Sequence, residues 1–120
     1  MKPVVWVGSS RSDIREFPDP VQDEMGYALY LAQQDGKHPE AKPLRGHHGA
    51  GVLEVVESFD GDAYRAVYTV RFAEAIYVLH CFQKKSTHGI AMPRRDEELI
   101  EARLRWAGEL HQSFIDQRGR

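Results

Sequence analysis

The sequence lacks long apolar runs, paired cysteines and a recognisable set of metal ligands, which are the features of membrane proteins, disulfide-bonded proteins and metalloproteins. No apolar run approaches the roughly 20 residues that a membrane helix needs, and no long apolar segment follows the early lysine, so we expect no signal peptide. The single cysteine, Cys81, excludes an internal disulfide. His47 and His48 are adjacent, but a zinc site needs four ligands with recognisable spacing. We therefore expect a cytoplasmic protein with no metal and no cofactor.

Basic residues are slightly fewer than acidic ones, 16 against 18, in a chain of 120 residues. The net charge of −2 argues against a protein that coats nucleic acid indiscriminately. The cations are nevertheless concentrated in residues 37–48 and 84–95, where only Glu40 carries a negative charge. This distribution predicts one local anion site, with two solvated loops as the alternative. The length and apolar content fit a single domain over residues 1–120.

A β-hairpin is predicted for residues 64–85, where β-branched and aromatic residues flank Ala73-Glu74. With these two residues as the loop, Arg65 faces Phe82 and Val67 faces His80. Because side chains alternate between faces, one face is predicted to be the core, with Tyr64, Ala66, Tyr68, Val70, Phe72, Tyr77, Leu79 and Cys81. The other mixes apolar residues with cationic or titratable ones: Arg65, Val67, Thr69, Arg71, Ile76, Val78, His80, Phe82 and Lys84. A bound polyanion would explain that mixture.

The remaining elements complete a β-α-α-β-β-β-α order. Residues 3–8 form a short strand, Ser10 and Asp13 start a helix over 11–17, and Asp19, Pro20 and Gln22 form a capping box for a helix ending near 35–36. Residues 36–51 form an irregular loop, 52–58 a strand and 60–61 a turn. A final helix over 95–115 carries an apolar stripe of Leu99, Ile100, Trp106, Leu110 and Phe114. The fold class is therefore α+β, a small antiparallel sheet flanked by helices, in which strands two to four form a meander.

Three segments of the chain resemble the HigB-type toxins of the RelE superfamily, in particular their phage-derived toxin group. AKPLRG (41–46), leading through Gly51 into VLEV (52–55), is similar to that group's K-P-L-x-G…G-L-x-E-[LV]. AYRAVYTV (63–70) resembles its Y-R-[VL]-x-Y strand. VLHCFQKKS (78–86), followed by Pro93 and a charged helix, resembles L-H-x-F-x-K-K-[ST]…P.

The resemblance implies a compact RelE-like domain that enters the ribosomal A site and cleaves mRNA there. In that family the 2′-hydroxyl of the RNA attacks the neighbouring phosphate without a metal. A helix-turn-helix antitoxin would be the protein partner, and neither DNA nor a membrane would be contacted directly.

Cleavage of this kind needs a proton acceptor, a clamp for the charge on the phosphate and a proton donor for the leaving oxygen. Arg65 is the candidate clamp, which the family motif also marks, and its alternative is an ion pair with Glu54 or Glu57. Lys84, Lys85 and His80 are the other catalytic candidates, with strand-end solubility or packing as alternatives.

RNA binding is predicted for the loop residues Lys42, Arg45 and His88, and for Phe82, which would stack on a base or pack under the last helix. Unlike RelE, the chain has no lysines on strand two and no tyrosine after Lys85. A non-catalytic binder of RNA, ribosome or antitoxin and a ribosome-independent RNase are therefore the rival functions.

Overall fold

The computed structural model describes residues 1–46, 51–84 and 92–119, with Lys84 described by its backbone alone. Five strands and three helices follow in the order β1 (Val4–Trp6), α1 (Ser10–Ile14), α2 (Asp19–Gln33), β2 (Lys42–Pro43), β3 (Val52–Phe59), β4 (Asp62–Thr69), β5 (Ile76–Lys84) and α3 (Arg94–Arg118). The α+β class and the predicted order of elements are confirmed. The two-residue β2 is an addition, inside the segment predicted to be an irregular loop.

The strands form one sheet in the order β1-β5-β4-β3-β2. Strands β3, β4 and β5 are the predicted antiparallel meander. β1 pairs with β5 in the parallel direction, so the sheet is mixed and the prediction of an antiparallel sheet was wrong at this edge. A parallel neighbour requires a crossover connection, and α1, α2, β2, β3 and β4 lie between these two strands in the chain.

The β4–β5 hairpin keeps its predicted pairs and faces away from the turn and departs from them near the turn. Arg65 lies opposite Phe82 and Val67 opposite His80, as expected, but a register shift follows and Tyr68 pairs with Val78. Leu79 is the extra residue of this β-bulge. As a result, Ile76 and Val78 join the core face, whereas Tyr77 and Leu79, predicted for that face, lie on the opposite one. The connection spans residues 70–75, longer than the predicted Ala73-Glu74 loop.

Both faces of the sheet are covered by helices. α1 and α2 pack on one face, where Met25, Ala28, Val55, Tyr68 and Cys81 are among the buried residues. On the other face, Ile100 and Ala107 of α3 pack against Val7, Val67, Tyr77 and Leu79. Burying a valine, leucine or isoleucine side chain contributes about 1.5–3 kcal/mol to stability. The face predicted to be half-apolar and open to a polyanion is therefore largely a second core.

The apolar stripe predicted for α3 is wrong for three of its five residues. Trp106, Leu110 and Phe114 are 49%, 39% and 36% exposed, whereas Ile100, Ala107 and His111 are buried. His111 can face inward because Tyr77 and Glu74 hold both of its ring nitrogens. Within the described residues, none of the helices combines the length and the apolar character required to cross a bilayer.

The two N-terminal helices begin differently from the prediction. α1 starts at Ser10, whose hydroxyl donates to the Val78 carbonyl, and it ends at Ile14 rather than at residue 17. α2 has Asp19 as its first helical residue and Pro18 as its N-cap, with no side-chain capping bond. The Gln22 amide donates to carbonyls of the preceding turn instead of closing a capping box.

Candidate functional site

The candidate site lies on the α3 face of the sheet, beside the N-terminal turn of that helix. Arg65 of β4 and Phe82 of β5 are cross-strand partners, so their side chains share a face and contact each other. His80 lies two residues before Phe82 on the same strand, and the two rings stack with centroids 4.4 Å apart. Asp96 reaches His80 from the first turn of α3. Two strands and one helix thus assemble a cation, an aromatic ring and a titratable pair.

Arg65 is 7% exposed and is held by a carboxylate and an aromatic ring. Its Nη1 lies 3.3 Å from Glu54 Oε2, and its guanidinium carbon lies 5.7 Å from the Phe82 ring centroid. Neither Arg65 Nε nor Glu54 Oε2 has a hydrogen-bond partner within the described residues. The ion pair considered as the alternative role of Arg65 is therefore present, and the guanidinium keeps an unused donor. A buried donor without a partner costs about 1–3 kcal/mol, which a bound anion would recover.

His80 is buried and oriented by Asp96. Its Nε2 lies 2.8 Å from Asp96 Oδ1, and its Nδ1 is buried without a hydrogen-bond partner in the described part of the chain. Burial lowers the pKa of His80 from its ordinary value, and this effect exceeds the opposing influence of the Asp96 carboxylate. The imidazole is therefore neutral near pH 7 and has a lone pair available for a proton.

The remaining predicted site residues are only partly placed. Lys42 is exposed on β2 and lies opposite Glu54, so one cross-strand row runs from Lys42 through Glu54 and Val67 to His80. Arg45 is exposed beyond β2. Lys84 ends β5 opposite Ala63. Lys85 and His88, like the adjacent pair His47 and His48, lie outside the described residues. The structure thus brings together Arg65, His80 and Phe82, with Lys42 in the same row of the sheet.

Asp96 is the site residue that sequence reasoning missed. It belongs to the run of acidic residues that opens α3, and such residues usually complement the helix dipole. Nothing in the sequence distinguishes the one carboxylate that contacts His80, sixteen positions earlier. The pairing depends on the angle at which α3 crosses the sheet.

A second polar cluster, formed by Glu24, His38 and Glu57, has the composition of a metal site, and its ligand atoms lie within 4.8 Å of one another. The His38 Nδ1, however, accepts the backbone N–H of Glu40 at 3.0 Å, while Nε2 lies 2.8 Å from Glu24 Oε1. A neutral ring that accepts at Nδ1 carries its proton on Nε2, which leaves no lone pair for a metal. These hydrogen bonds favour a structural role for the cluster.

Comparison with known families gives one result. The model of the family described as "Phage derived protein Gp49-like (DUF891)" matches residues 12–105, which include the end of α1, every element from α2 to β5 and the first half of α3. A comparison with curated proteins returned no match.

Proposed function

Because the chain belongs to the Gp49-like family of phage-derived proteins, which is associated with toxin–antitoxin systems, we propose that it is the toxin of a type II toxin–antitoxin pair. Its activity would be that of a HigB-type toxin of the RelE superfamily, a cytoplasmic endoribonuclease that cleaves mRNA on the ribosome. The reaction would be a transesterification by the RNA 2′-hydroxyl. The partner would be a helix-turn-helix antitoxin that holds the toxin inactive.

The observation that carries this proposal is the contact of Arg65 and His80 with the same aromatic residue, Phe82. A guanidinium stabilises the charge that develops on a phosphate during attack. A neutral imidazole accepts a proton near neutral pH. Phe82 is half-buried and offers a surface on which an unstacked base can pack. A charge clamp and a proton acceptor are two of the three groups that RNA transesterification needs, and the cross-strand register of β4 and β5 brings them together.

A second candidate function is supported by the same residues. Arg65 and His80 are each at least nine-tenths buried and each already contacts a carboxylate, Glu54 or Asp96. If the contacts of Arg65 with Glu54 and of His80 with Asp96 serve only to stabilise the fold, the chain is a non-catalytic binder of RNA, ribosome or antitoxin. Such a binder would leave no cut ends on mRNA.

The test is induced expression of the wild-type chain, Arg65→Lys, Arg65→Ala and Arg118→Ala, with growth and mRNA 5′ ends followed together. Arg65→Lys keeps a positive charge beside Glu54 but loses the two-point donor geometry that matches a phosphate. Arg118 is an exposed arginine at the end of α3 and serves as the matched control. We expect arrest and new mRNA ends with wild type and Arg118→Ala, loss of both with Arg65→Ala, and strong weakening with Arg65→Lys.

Circular dichroism of the purified variants verifies that they are folded. Folded Arg65 variants with full cleavage would contradict the proposal, and a soluble wild-type protein that makes no cuts would favour the binding function. Cleavage of purified RNA without ribosomes would identify the third possibility, a ribosome-independent RNase.

A further inference from the structure

Three buried histidines of the described chain each contact a carboxylate through Nε2, at 2.8 Å in every case. The pairs are His38 with Glu24, His80 with Asp96, and His111 with Glu74. An ionised carboxylate only accepts hydrogen bonds, so the neutral ring in each pair carries its proton on Nε2 and a lone pair on Nδ1. The three histidines are thus in the same tautomer, and they differ in what faces Nδ1.

Two of the three lone pairs are occupied by a donor from the protein. Nδ1 of His38 accepts the backbone N–H of Glu40 at 3.0 Å. Nδ1 of His111 lies 3.0 Å from the Tyr77 hydroxyl, which donates to it in this tautomer. Both rings have all their hydrogen-bonding groups satisfied, which is the usual condition of a histidine that only supports the fold.

His80 differs from both because its Nδ1, although buried, has no partner among the residues that the structure describes. The ring cannot turn to satisfy this atom, since Asp96 holds Nε2 and Phe82 is stacked against the ring face with an interplanar angle of 17°. A buried acceptor left unpaired costs about 1–3 kcal/mol of stability. A buried polar group without a partner is often found at a functional site, where its role in binding or catalysis offsets its cost in stability.

We propose that Nδ1 of His80 is the general base of the RNA cleavage, and that Asp96 is the positioning residue that fixes its tautomer and orientation. This inference rests on the proposed function. The 2′-hydroxyl gives its proton to Nδ1 while the 2′-oxygen bonds to phosphorus and the bond from phosphorus to the 5′-oxygen breaks. The 5′-oxygen takes a proton from water, and the resulting hydroxide recovers the proton from Nδ1. The products are a 2′,3′-cyclic phosphate and a free 5′-hydroxyl.

The charges around His80 favour the neutral ring that a base requires. Burial is the largest influence and lowers its pKa, and the cation of Arg103 acts in the same direction. The carboxylates of Asp96 and Asp13 oppose them. Arg65, whose guanidinium carbon lies 5.7 Å from the Phe82 ring centroid, is a further nearby cation. Cleavage should therefore increase as pH rises through a pKa below the ordinary value of about 6.5 and then level off.

Nδ1 is covered in the free protein, so we expect RNA binding to displace the side chains over it. Catalytic hydrogen bonds are often completed only in the substrate complex.

The kinetic test measures single-turnover cleavage on mRNA-programmed ribosomes from about pH 5 to 8.5, a range that brackets the ordinary histidine pKa. The proteins are wild type, His80→Gln, Asp96→Asn and Glu74→Gln, the last removing the carboxylate from the His111 pair. We expect His80→Gln to lose at least about 10²-fold in the plateau rate. Asp96→Asn should lose less and have a lower apparent pKa, because the carboxylate that raises the His80 pKa is gone. Glu74→Gln should keep the wild-type pH profile.

A second readout is independent of activity. Nitrogen-15 spectra of the histidine rings should show neutral His80 in the Nε2–H tautomer in wild type, with a mixture of tautomers in Asp96→Asn, since an amide can donate or accept. An Nδ1–H tautomer in the wild-type protein would overturn the assignment of Nδ1. Cleavage that is unchanged in folded His80→Gln, or an Asp96→Asn profile equal to that of Glu74→Gln, would overturn the inference alone. Absence of any cleavage by wild type would overturn the proposed function as well.

Discussion

The orientation of α3 on the sheet can be tested by truncating two of its aliphatic residues. Ile100 is 0% exposed and packs in the core between α3 and the sheet, whereas Leu110 is 39% exposed. Ile100→Ala removes three carbons, which at about 0.8 kcal/mol each is about 2.4 kcal/mol of transfer free energy. The cavity left behind raises the expected loss in the free energy of unfolding to about 3–4 kcal/mol. Leu110→Ala should cost less than about 1 kcal/mol, since surface truncations usually do.

The measurement is urea unfolding followed by circular dichroism, with thermal melts in parallel. For a chain of this length, a loss of about 3 kcal/mol corresponds to a decrease in Tm of about 10 °C. Alanine favours helix at least as well as leucine or isoleucine, so neither loss can be ascribed to helix propensity. If Leu110→Ala were as destabilising as Ile100→Ala, the stripe of Trp106, Leu110 and Phe114 would face the core and the described orientation of α3 would be wrong.

Two further predictions concern buried groups of the other core. Burial raises the pKa of the Cys81 thiol to about 12, so a thiol reagent at pH 8 should modify it only as fast as the protein unfolds; fast modification of the native protein would show that Cys81 is accessible. The buried Tyr68 hydroxyl has no hydrogen-bond partner within the described residues. Tyr68→Phe should therefore unfold at the same urea concentration as wild type or a higher one, with a gain of up to about 1 kcal/mol; a loss larger than that would reveal a partner for the hydroxyl.

The order of elements could be predicted because it depends on local signals. Period-two alternation marked the β4–β5 hairpin, and Asp60 and Gly61, both with positive φ, form the predicted turn between β3 and β4. Gly61 tolerates that conformation at no steric cost, which is why such a pair is a strong turn signal. Boundaries were less well predicted: Gln22 fits a capping box in sequence but donates to carbonyls of the preceding turn.

The burial of α3 could not be predicted in the same way. Trp106, Leu110 and Phe114 recur at helical spacing, and the hydrophobic pattern alone places them inward. The helix instead buries Ala107 and His111. A small residue allows close approach to the sheet, and a histidine can be buried at this point only because Tyr77 and Glu74, distant in sequence, supply its partners. That complementarity is a property of the assembled structure.

The candidate site itself depends on the β-bulge at Leu79. Near the turn, Thr69 pairs with Tyr77 and Tyr68 with Val78. Continued without interruption, this register would place His80 opposite Ala66, on the face covered by α2. The extra residue moves His80 opposite Val67 and onto the face of Arg65 and Asp96. The bulge is held by Arg103, whose Nη1 donates to the Leu79 carbonyl at 2.9 Å. Bulges often redirect a side chain beside a functional site.

The same bulge explains why the sequence predicted the right partner for His80 from the wrong hairpin loop. A two-residue loop at Ala73-Glu74 without a bulge gives the pairs Val67–His80 and Arg65–Phe82. The actual connection shifts the register near the turn by one residue, and the bulge shifts it back by one. The two deviations cancel beyond Leu79, so the pairs at the site were predicted correctly while the faces of Tyr77 and Val78 were not. In a strand with apolar neighbours on both faces, hydrophobic alternation cannot locate the extra residue, and the strand pairing of the folded sheet identifies it as Leu79.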